Sequence, residues 1–336
     1  MHMADALVSP LVGTAFWIVS GTLVGYSAKK IAAENDKTKT PLMGVLGAFV
    51  FAAQMINFTI PGTGSSGHLG GGLLLTVLLG PWHAFITLAS ILIIQSLFFA
   101  DGGVMALGCN IFNLAFFPAC IAYPFIYRLI AGKSESPRRL ATGCIAAATA
   151  GLVLGSFSVV LQTTLSGITE LPFNLFAFFM LPIHGVIGIV EGVITWAVLS
   201  FVSKTEPALL YSAQPSEPPH SFFAVFTIAA LLIGGAGSWF ASSHPDGLEW
   251  SIGKVHGGEE LHKSGDDVHE QFHLLQQRIT LFPDYAFKKS EHGIEKAYNS
   301  EGYTMKIETT LAGIVGTLAV LVTAGATGMA LGKKHP

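Results

Sequence analysis

The sequence predicts an all-α polytopic membrane protein, a helical bundle in which a seven-span module is followed by a two-span hairpin. Three observations carry this. Nine apolar stretches recur along the 336 residues, separated by polar or basic turns. Charged residues make up only 12% of the chain, against about 25% in an ordinary soluble domain. The mean hydropathy is +0.57, and 38 glycines with 24 phenylalanines fit close helix packing with bulky side chains toward lipid. A net charge of −3 argues against a nucleic-acid surface. Cys109, Cys120 and Cys144 sit in apolar stretches without CxxC spacing, so they read as small buried residues.

The apolar run 10–28 is long enough to cross a hydrocarbon core of roughly 30 Å as a helix. It ends at Lys29-Lys30. Basic flanks mark the cytoplasmic side, which places Met1 and His2 outside. The N-terminus has no basic region ahead of this run, so no signal peptide is expected, and the bulky His2 should protect Met1 from removal. Span 42–58 returns outward with a small-residue face of Gly44, Gly47, Ala48, Ala52 and Ala53.

A glycine-rich loop, Pro61-Gly62-Thr63-Gly64-Ser65-Ser66-Gly67-His68-Leu69-Gly70-Gly71-Gly72, then lies on the same side as Met1. A short apolar piece, 73–80, follows, with a break at Pro81-Trp82-His83, and span 84–100 ends in Asp101-Gly102-Gly103. Short, glycine-interrupted membrane segments point to a transporter's binding site, so the site is expected at the outer end. Span 111–130 runs inward to Arg128, Lys133, Arg138 and Arg139; 140–161 goes out; 176–202 comes back to Lys204.

From 205 to 220 the composition turns to Glu, Ser and Gln with Pro207, Pro215, Pro218 and Pro219, an extended cytoplasmic linker. Span 222–241 is followed by a polar region, 242–306, that holds most of the charge, and by span 309–331, which ends at Lys333-Lys334. The polar region is therefore expected outside and the C-terminus in the cytoplasm. Three parts result: a membrane module over 1–204, the linker 205–220, and a two-span module over 221–336.

The chemistry-bearing stretch is Met1-His2-Met3-Ala4-Asp5. A free α-amine on Met1, the backbone nitrogen of His2 and its ring Nδ1 can close adjacent five- and six-membered chelate rings around one divalent ion. One corner of a square plane stays open, and His68 in the glycine loop is the candidate for it. Nitrogen ligands in tetragonal geometry suit Cu(II) or Ni(II), and imidazole also suits cobalt and zinc. The plainer alternatives are a frayed terminus and a solvated loop histidine.

Polar groups inside spans are functional candidates by default: Gln95, Asn110, Asn113, His184 and Glu191, with Asp101 at a span end. His184 and Glu191 are seven apart and share a helical face with Gly188 and Gly192. They either satisfy one another or support the centre, since a ligating histidine needs its other ring nitrogen held; Asp101 or Glu191 could supply that. His244, His256, His262, His269, His273 and His292 are scattered through the outer polar region, either a feeder surface or simply solvated. No GxxxxGK[ST] loop is present, so energy for pumping must come from ion gradients or a partner. A competing motif, Gly64-Ser65-Ser66-Gly67, fits the nucleophile signature of rhomboid proteases with His184 as base.

Four blocks in order resemble the CbiM/NikM family, the substrate-binding components of energy-coupling-factor importers for cobalt and nickel. They are Met1-His2-Met3-Ala4-Asp5 with Ser9-Pro10, residues 62–71 with His68, residues 99–113 with Asp101, Asn110 and Asn113, and residues 184–192 with His184 and Glu191. Pro245-Asp246-Gly247-Leu248-Glu249 looks like the small partner subunit of such importers, fused on the same chain. The resemblance implies one Ni²⁺ or Co²⁺ ion as transported cargo, bound by Met1, His2 and His68, with no organic cofactor. It implies a bacterial or archaeal cell membrane, a membrane coupling subunit and cytoplasmic ATPase subunits as partners, and a coupler contact through Ala48 and Ala52. Met3 and Cys109 depart from the family's frequent Ile and Ala without touching the ligand set. Nitrogen donors including a deprotonated amide favour nickel, reject Mg and Ca, and lose affinity in acid; cobalt stays compatible. A stand-alone metal–proton exchanger remains a further reading.

Overall fold

The computed structural model describes residues 1–34, 36, 38–132, 134–211, 218–257, 267–287 and 301–332. Among these, the helices are α1 (Pro10–Glu34), α2 (Lys39–Gln54), α3 (Gly72–Leu79), α4 (Pro81–Phe99), α5 (Leu107–Ile130), α6 (Pro137–Ser166), α7 (Phe173–Thr205), α8 (His220–Gly235), α9 (Gly247–His256), α10 (Asp267–Ile279) and α11 (Glu301–Gly332). A short helix, Pro207–Tyr211, follows α7. α1, α4, α5, α6, α7 and the stretch Ile307–Gly332 of α11 are long and apolar enough to cross a membrane. The chain is thus an all-α membrane bundle, as its composition predicts. α2 and α8 have 16 residues each, which at 1.5 Å per residue span about 24 Å.

Local sequence explains the irregularities. Gly80, at φ 81°, breaks the chain between α3 and α4, and Pro81 then starts α4 at the position where its missing N–H is harmless. Within α5 the turns over Phe112–Tyr127 are wide, with i→i+5 spacing around Pro118 and Pro124, each of which removes a donor from the ladder. α6 and α7 lie side by side along Gly188 and Gly192, where a Cβ would collide with the backbone of Thr149 and Ile145. The face that Gly188 and Gly192 share with His184 and Glu191 is therefore a helix contact.

Three expectations are corrected. The second span stops at Gln54 instead of reaching 58, and the glycine loop begins as an antiparallel hairpin of β1 (Phe58–Ile60) and β2 (Ser65–Gly67), paired Phe58 to Gly67 and Ile60 to Ser65. Phe-Thr-Ile favours a strand, and Gly62 and Gly64, at φ 77° and 78°, supply the turn. The eighth span ends at Gly235, because Gly234, Gly235 and Gly237 weaken further helix and a tight turn over Gly237–Phe240 replaces it. Ala48 and Ala52, expected to face a coupling subunit, are buried within this chain. α2 packs against α8 and α11, and Gly234 of α8 sits directly over Ala52, so the C-terminal hairpin covers that face.

The two ends of the bundle differ. At one, Lys39 pairs with Glu34 at 3.6 Å and Asp36 at 3.3 Å, tying the α1–α2 turn beside the start of α4. At the other end converge Met1, the glycine loop, Asp101, residues 244–250 and residues 276–285.

Candidate metal centre

The N-terminal residues are threaded into the bundle and clamped. Asn110 accepts from the Met3 N–H at 2.8 Å and donates to the Met3 carbonyl at 3.1 Å, a two-point grip. Gly103 N–H also donates to that carbonyl, and the Asp5 carboxylate accepts from Ala106 N–H. Asn113 and Gln162 exchange amide hydrogen bonds of 2.7 and 2.9 Å beside the Met3 sulfur. Met1 and Met3 are consequently buried, the opposite of a frayed end.

The glycine loop is fixed from below. Glu191 accepts from Gly70 N–H at 2.8 Å and Gly71 N–H at 3.2 Å, while Gln54, itself held by Gln95, donates to the Gly70 carbonyl. Gly71 has φ 73° and a Cβ there would overlap Val50, so glycine is required twice over. The loop presents His68, whose Nδ1 faces its neighbour's carbonyl at 3.1 Å and whose Nε2 lies 3.2 Å from the Met1 amine. With Nδ1 as the N–H donor, Nε2 keeps its lone pair toward the amine. Burial, with the charge of the amine adding to it, pushes the His68 ring down to about 3, so it is neutral and ready to ligate.

The His2 ring stacks on His68 with centroids 5.2 Å apart and planes 7° from parallel. The three predicted ligand residues therefore meet at one point. The pose of His2 corrects the expectation. The His2 Nδ1, the atom assigned to the chelate, lies 3.1 Å from Asp101 Oδ1, and Nε2 is buried with no partner among the described residues. In this pose the nitrogen a chelate would use is turned toward Asp101. The carboxylate that holds a histidine is Asp101; Glu191 holds the loop instead. His184 does not pair with Glu191, since its Nδ1 meets the Met180 carbonyl at 2.8 Å, and its ring lines a small cavity beside Met1, His68 and Asp246.

Sequence reasoning missed Asp246. Its Oδ1 caps α9 by accepting from Leu248 and Glu249 N–H, both at 2.9 Å, and its Oδ2 lies 2.6 Å from the Met1 amine. Burial alone would raise this carboxyl, but the terminal ammonium and His68 outweigh it and hold it well below the ordinary range. Asp101 is likewise lowered, burial being outweighed by His2 and by a hydrogen bond from the Tyr285 hydroxyl. The Asp-Gly-Leu-Glu capping box was visible in the sequence, and it leaves one oxygen of Asp246 unused.

Ser65 and Ser66 are strand residues whose hydroxyls donate to backbone carbonyls of Ser66, His244 and Pro245. Neither is bonded to His184 among the described residues, which is no arrangement for a nucleophile and its base. Of the scattered histidines, His269 bonds the Val8 carbonyl and His273 meets Gln277, while His262 and His292 lie outside the described residues. Among the described residues no group of three or more His, Cys, Asp or Glu side chains gathers for a metal.

Residues 2–209 match the family described as the cobalt uptake substrate-specific transmembrane region, CbiM, and residues 220–333 match the PDGLE domain. The chain belongs to the CbiM family. A protein of Archaeoglobus fulgidus named as a putative fused nickel transport protein, NikMN, is 32% identical over 329 residues, covering 96% of each chain. A protein of Haloquadratum walsbyi named for metal transport is 34% identical over 212 residues, 63% of this chain and 94% of its own. The crystal structure of a transition metal transporter superposes with a TM-score of 0.54 at 30% identity, covering 62% of this chain and 94% of the other. Of these three, the Archaeoglobus protein covers nearly the whole chain, whereas the other two cover under two thirds of it.

Proposed function

We propose that this chain is the binding component of an importer for Ni²⁺ or Co²⁺, taking the ion at the Met1 end of the bundle. The Met1 amine, the amide and ring nitrogens of His2, and His68 Nε2 form the donor set. The carrying observation is the 3.2 Å approach of the Met1 amine to His68 Nε2 beside the stacked His2 ring. Two nitrogens bound about 2.0 Å from one metal and cis to each other lie roughly 2.8 Å apart. The Met1–His68 pair needs only a small contraction to reach that spacing, while the His2 ring has to turn its Nδ1 away from Asp101. The donor set is all nitrogen, which fits nickel or cobalt as cargo, excludes Mg and Ca, and calls for no organic cofactor.

In this reading Met1 faces outside the cell membrane and the C-terminus the cytoplasm, with residues 1–204 as the binding module and 221–336 as its fused two-span partner. Transport inward is driven by a membrane coupling subunit and cytoplasmic ATPase subunits, since the chain has no phosphate-binding loop of its own. The coupler docks elsewhere than Ala48 and Ala52. Uptake of radioactive nickel and cobalt by cells expressing the chain with and without ATPase subunits tests this. Uptake that vanishes without the ATPase supports the importer; undiminished uptake identifies a stand-alone metal–proton exchanger.

A further inference from the structure

Asp101 is a carboxylate with two occupied oxygens. Oδ1 faces His2 Nδ1, and Oδ2 accepts from the Tyr285 hydroxyl at 2.6 Å. Tyr285 lies 184 residues further along the chain and belongs to the C-terminal module. It is placed there with care. Its ring stacks on Phe99 at 4.7 Å with planes 17° apart, next to Phe282, which stacks on the same ring. The N–H groups of Leu281 and Phe282 both donate to the Phe98 carbonyl, at 3.0 and 2.9 Å, and Gln276 bonds the carbonyls of Ser96 and Gly102. Asp284 and Tyr285 hold left-handed backbone, φ 50° and 60°. Non-glycine residues persist in such conformations where surrounding contacts over-determine them, and these outliers cluster at functional sites. Burial and the nearby Asp101 charge raise the phenol well above its usual range, so its proton stays available for donation.

We propose that Tyr285 is a positioning residue of the metal centre: it anchors one oxygen of Asp101 so that the other aims the imidazole of His2. This rests on the assignment of His2 as a ligand. A carboxylate free to rotate gives an imidazole no fixed direction, whereas one tied at Oδ2 offers Oδ1 along a single line. The buried, unpartnered Nε2 of His2 marks the ring as unfinished, because buried polar nitrogens are ordinarily satisfied. A half-turn about Cβ–Cγ brings Nε2 into the place of Cε1, next to the Nδ1 position that Asp101 now serves, and frees Nδ1 for the ion. Asp101 then accepts a hydrogen bond from the Nε2–H, and the ligand ring is held from behind, as ligating histidines generally are. The fused module thus reaches the centre twice, through Tyr285 on Asp101 and through Asp246 on the Met1 amine.

The test uses the full chain in detergent, with Ni²⁺ as the probe, followed by calorimetry and by its ligand-field absorption. Tyr285→Phe keeps the stack on Phe99 and deletes only the hydroxyl. Loss of such an outer partner typically weakens metal binding 10- to 100-fold. We expect Kd to rise at least about tenfold and the absorption band to move, while Phe282→Leu, which disturbs the same stack without touching Asp101, changes neither. Because Tyr285 acts through Asp101, adding Tyr285→Phe to Asp101→Asn should produce no further loss. Full additivity of the two, or an unchanged Kd and spectrum in Tyr285→Phe while His2→Ala abolishes binding, overturns the proposal and leaves the centre standing. Binding that survives His2→Ala overturns the centre itself, and this role for Tyr285 with it.

Discussion

Asp246 performs two tasks with its two oxygens, and substitution can separate them. Asparagine caps helices about as well as aspartate, so Asp246→Asn keeps the bonds to Leu248 and Glu249 N–H. It turns an amide N–H₂ toward the Met1 ammonium, replacing attraction by two facing donors. The pair is 2.6 Å long with side chains only 3% and 17% exposed, and a hydrogen bond to a charged group contributes about 1.5–3 kcal/mol. Taking about 2 kcal/mol, the N-terminal segment should open roughly 30-fold more often, since each 1.4 kcal/mol is tenfold. Hydrogen–deuterium exchange in metal-free protein reads this directly at the Met3 N–H, which Asn110 protects. Asp246→Ala should show the same acceleration plus fraying at Leu248 and Glu249, from the loss of about 1 kcal/mol of capping. The carboxyl is lowered in the folded chain, so its contribution is complete above the ordinary carboxylate range and is lost only as acid takes pH down through the folded value. Unchanged exchange at Met3 in Asp246→Asn would refute the reasoning.

Three further outcomes follow from the loop. Glu191→Gln leaves one of the Gly70 and Gly71 N–H groups facing an amide donor, at about 1–3 kcal/mol for an unsatisfied buried group; a lower Tm and weaker Ni²⁺ binding in calorimetry are expected, with His184→Ala leaving the loop bonds intact. Gly71→Ala combines a left-handed backbone with overlap on Val50, roughly 1–3 kcal/mol from overpacking alone, so its thermal melt should fall clearly below that of Gly21→Ala, where a Cβ meets nothing within 4 Å. Ser65→Ala and Ser66→Ala remove hydroxyl bonds to carbonyls worth about 1 kcal/mol each and should leave metal uptake running; loss of a proteolytic activity in either variant would revive the protease reading.

The parts of this architecture that local chemistry dictates could be read in the sequence. Apolar runs gave the crossing helices, the break read at Pro81-Trp82-His83 falls at Gly80 with Pro81 already in α4, and the Met1-His2 terminus with His68 named residues that do meet, 67 residues apart in sequence. Asp101 could be named because a ligating imidazole needs a carboxylate or carbonyl behind it, although that rule could not choose between Asp101 and Glu191. Asp246 and Tyr285 were out of reach, since their roles depend on chain folding back over 245 and 184 residues, and neither lies in an apolar span where a polar group stands out. The same folding explains Ala48 and Ala52: a small-residue face marks a helix contact, but which helix fills it is decided by α8 and α11 of this chain. The Phe58–Gly67 hairpin hid behind a span boundary, where a β-branched and aromatic run reads equally as helix end or strand.

The central claim is that the α-amine of Met1 is a metal ligand, and one residue decides it. Ni²⁺ and Co²⁺ binding should be measured by calorimetry and visible absorption on the chain beginning at Met1 and on one carrying a single extra residue before Met1. The extension keeps every side chain, turns the Met1 nitrogen into a peptide amide and moves the free amine one residue away. Abolished binding and loss of the ligand-field band are the expected result. Equal affinity and an identical spectrum in both chains would contradict the account, because the Met1 amine would then have no part in holding the ion.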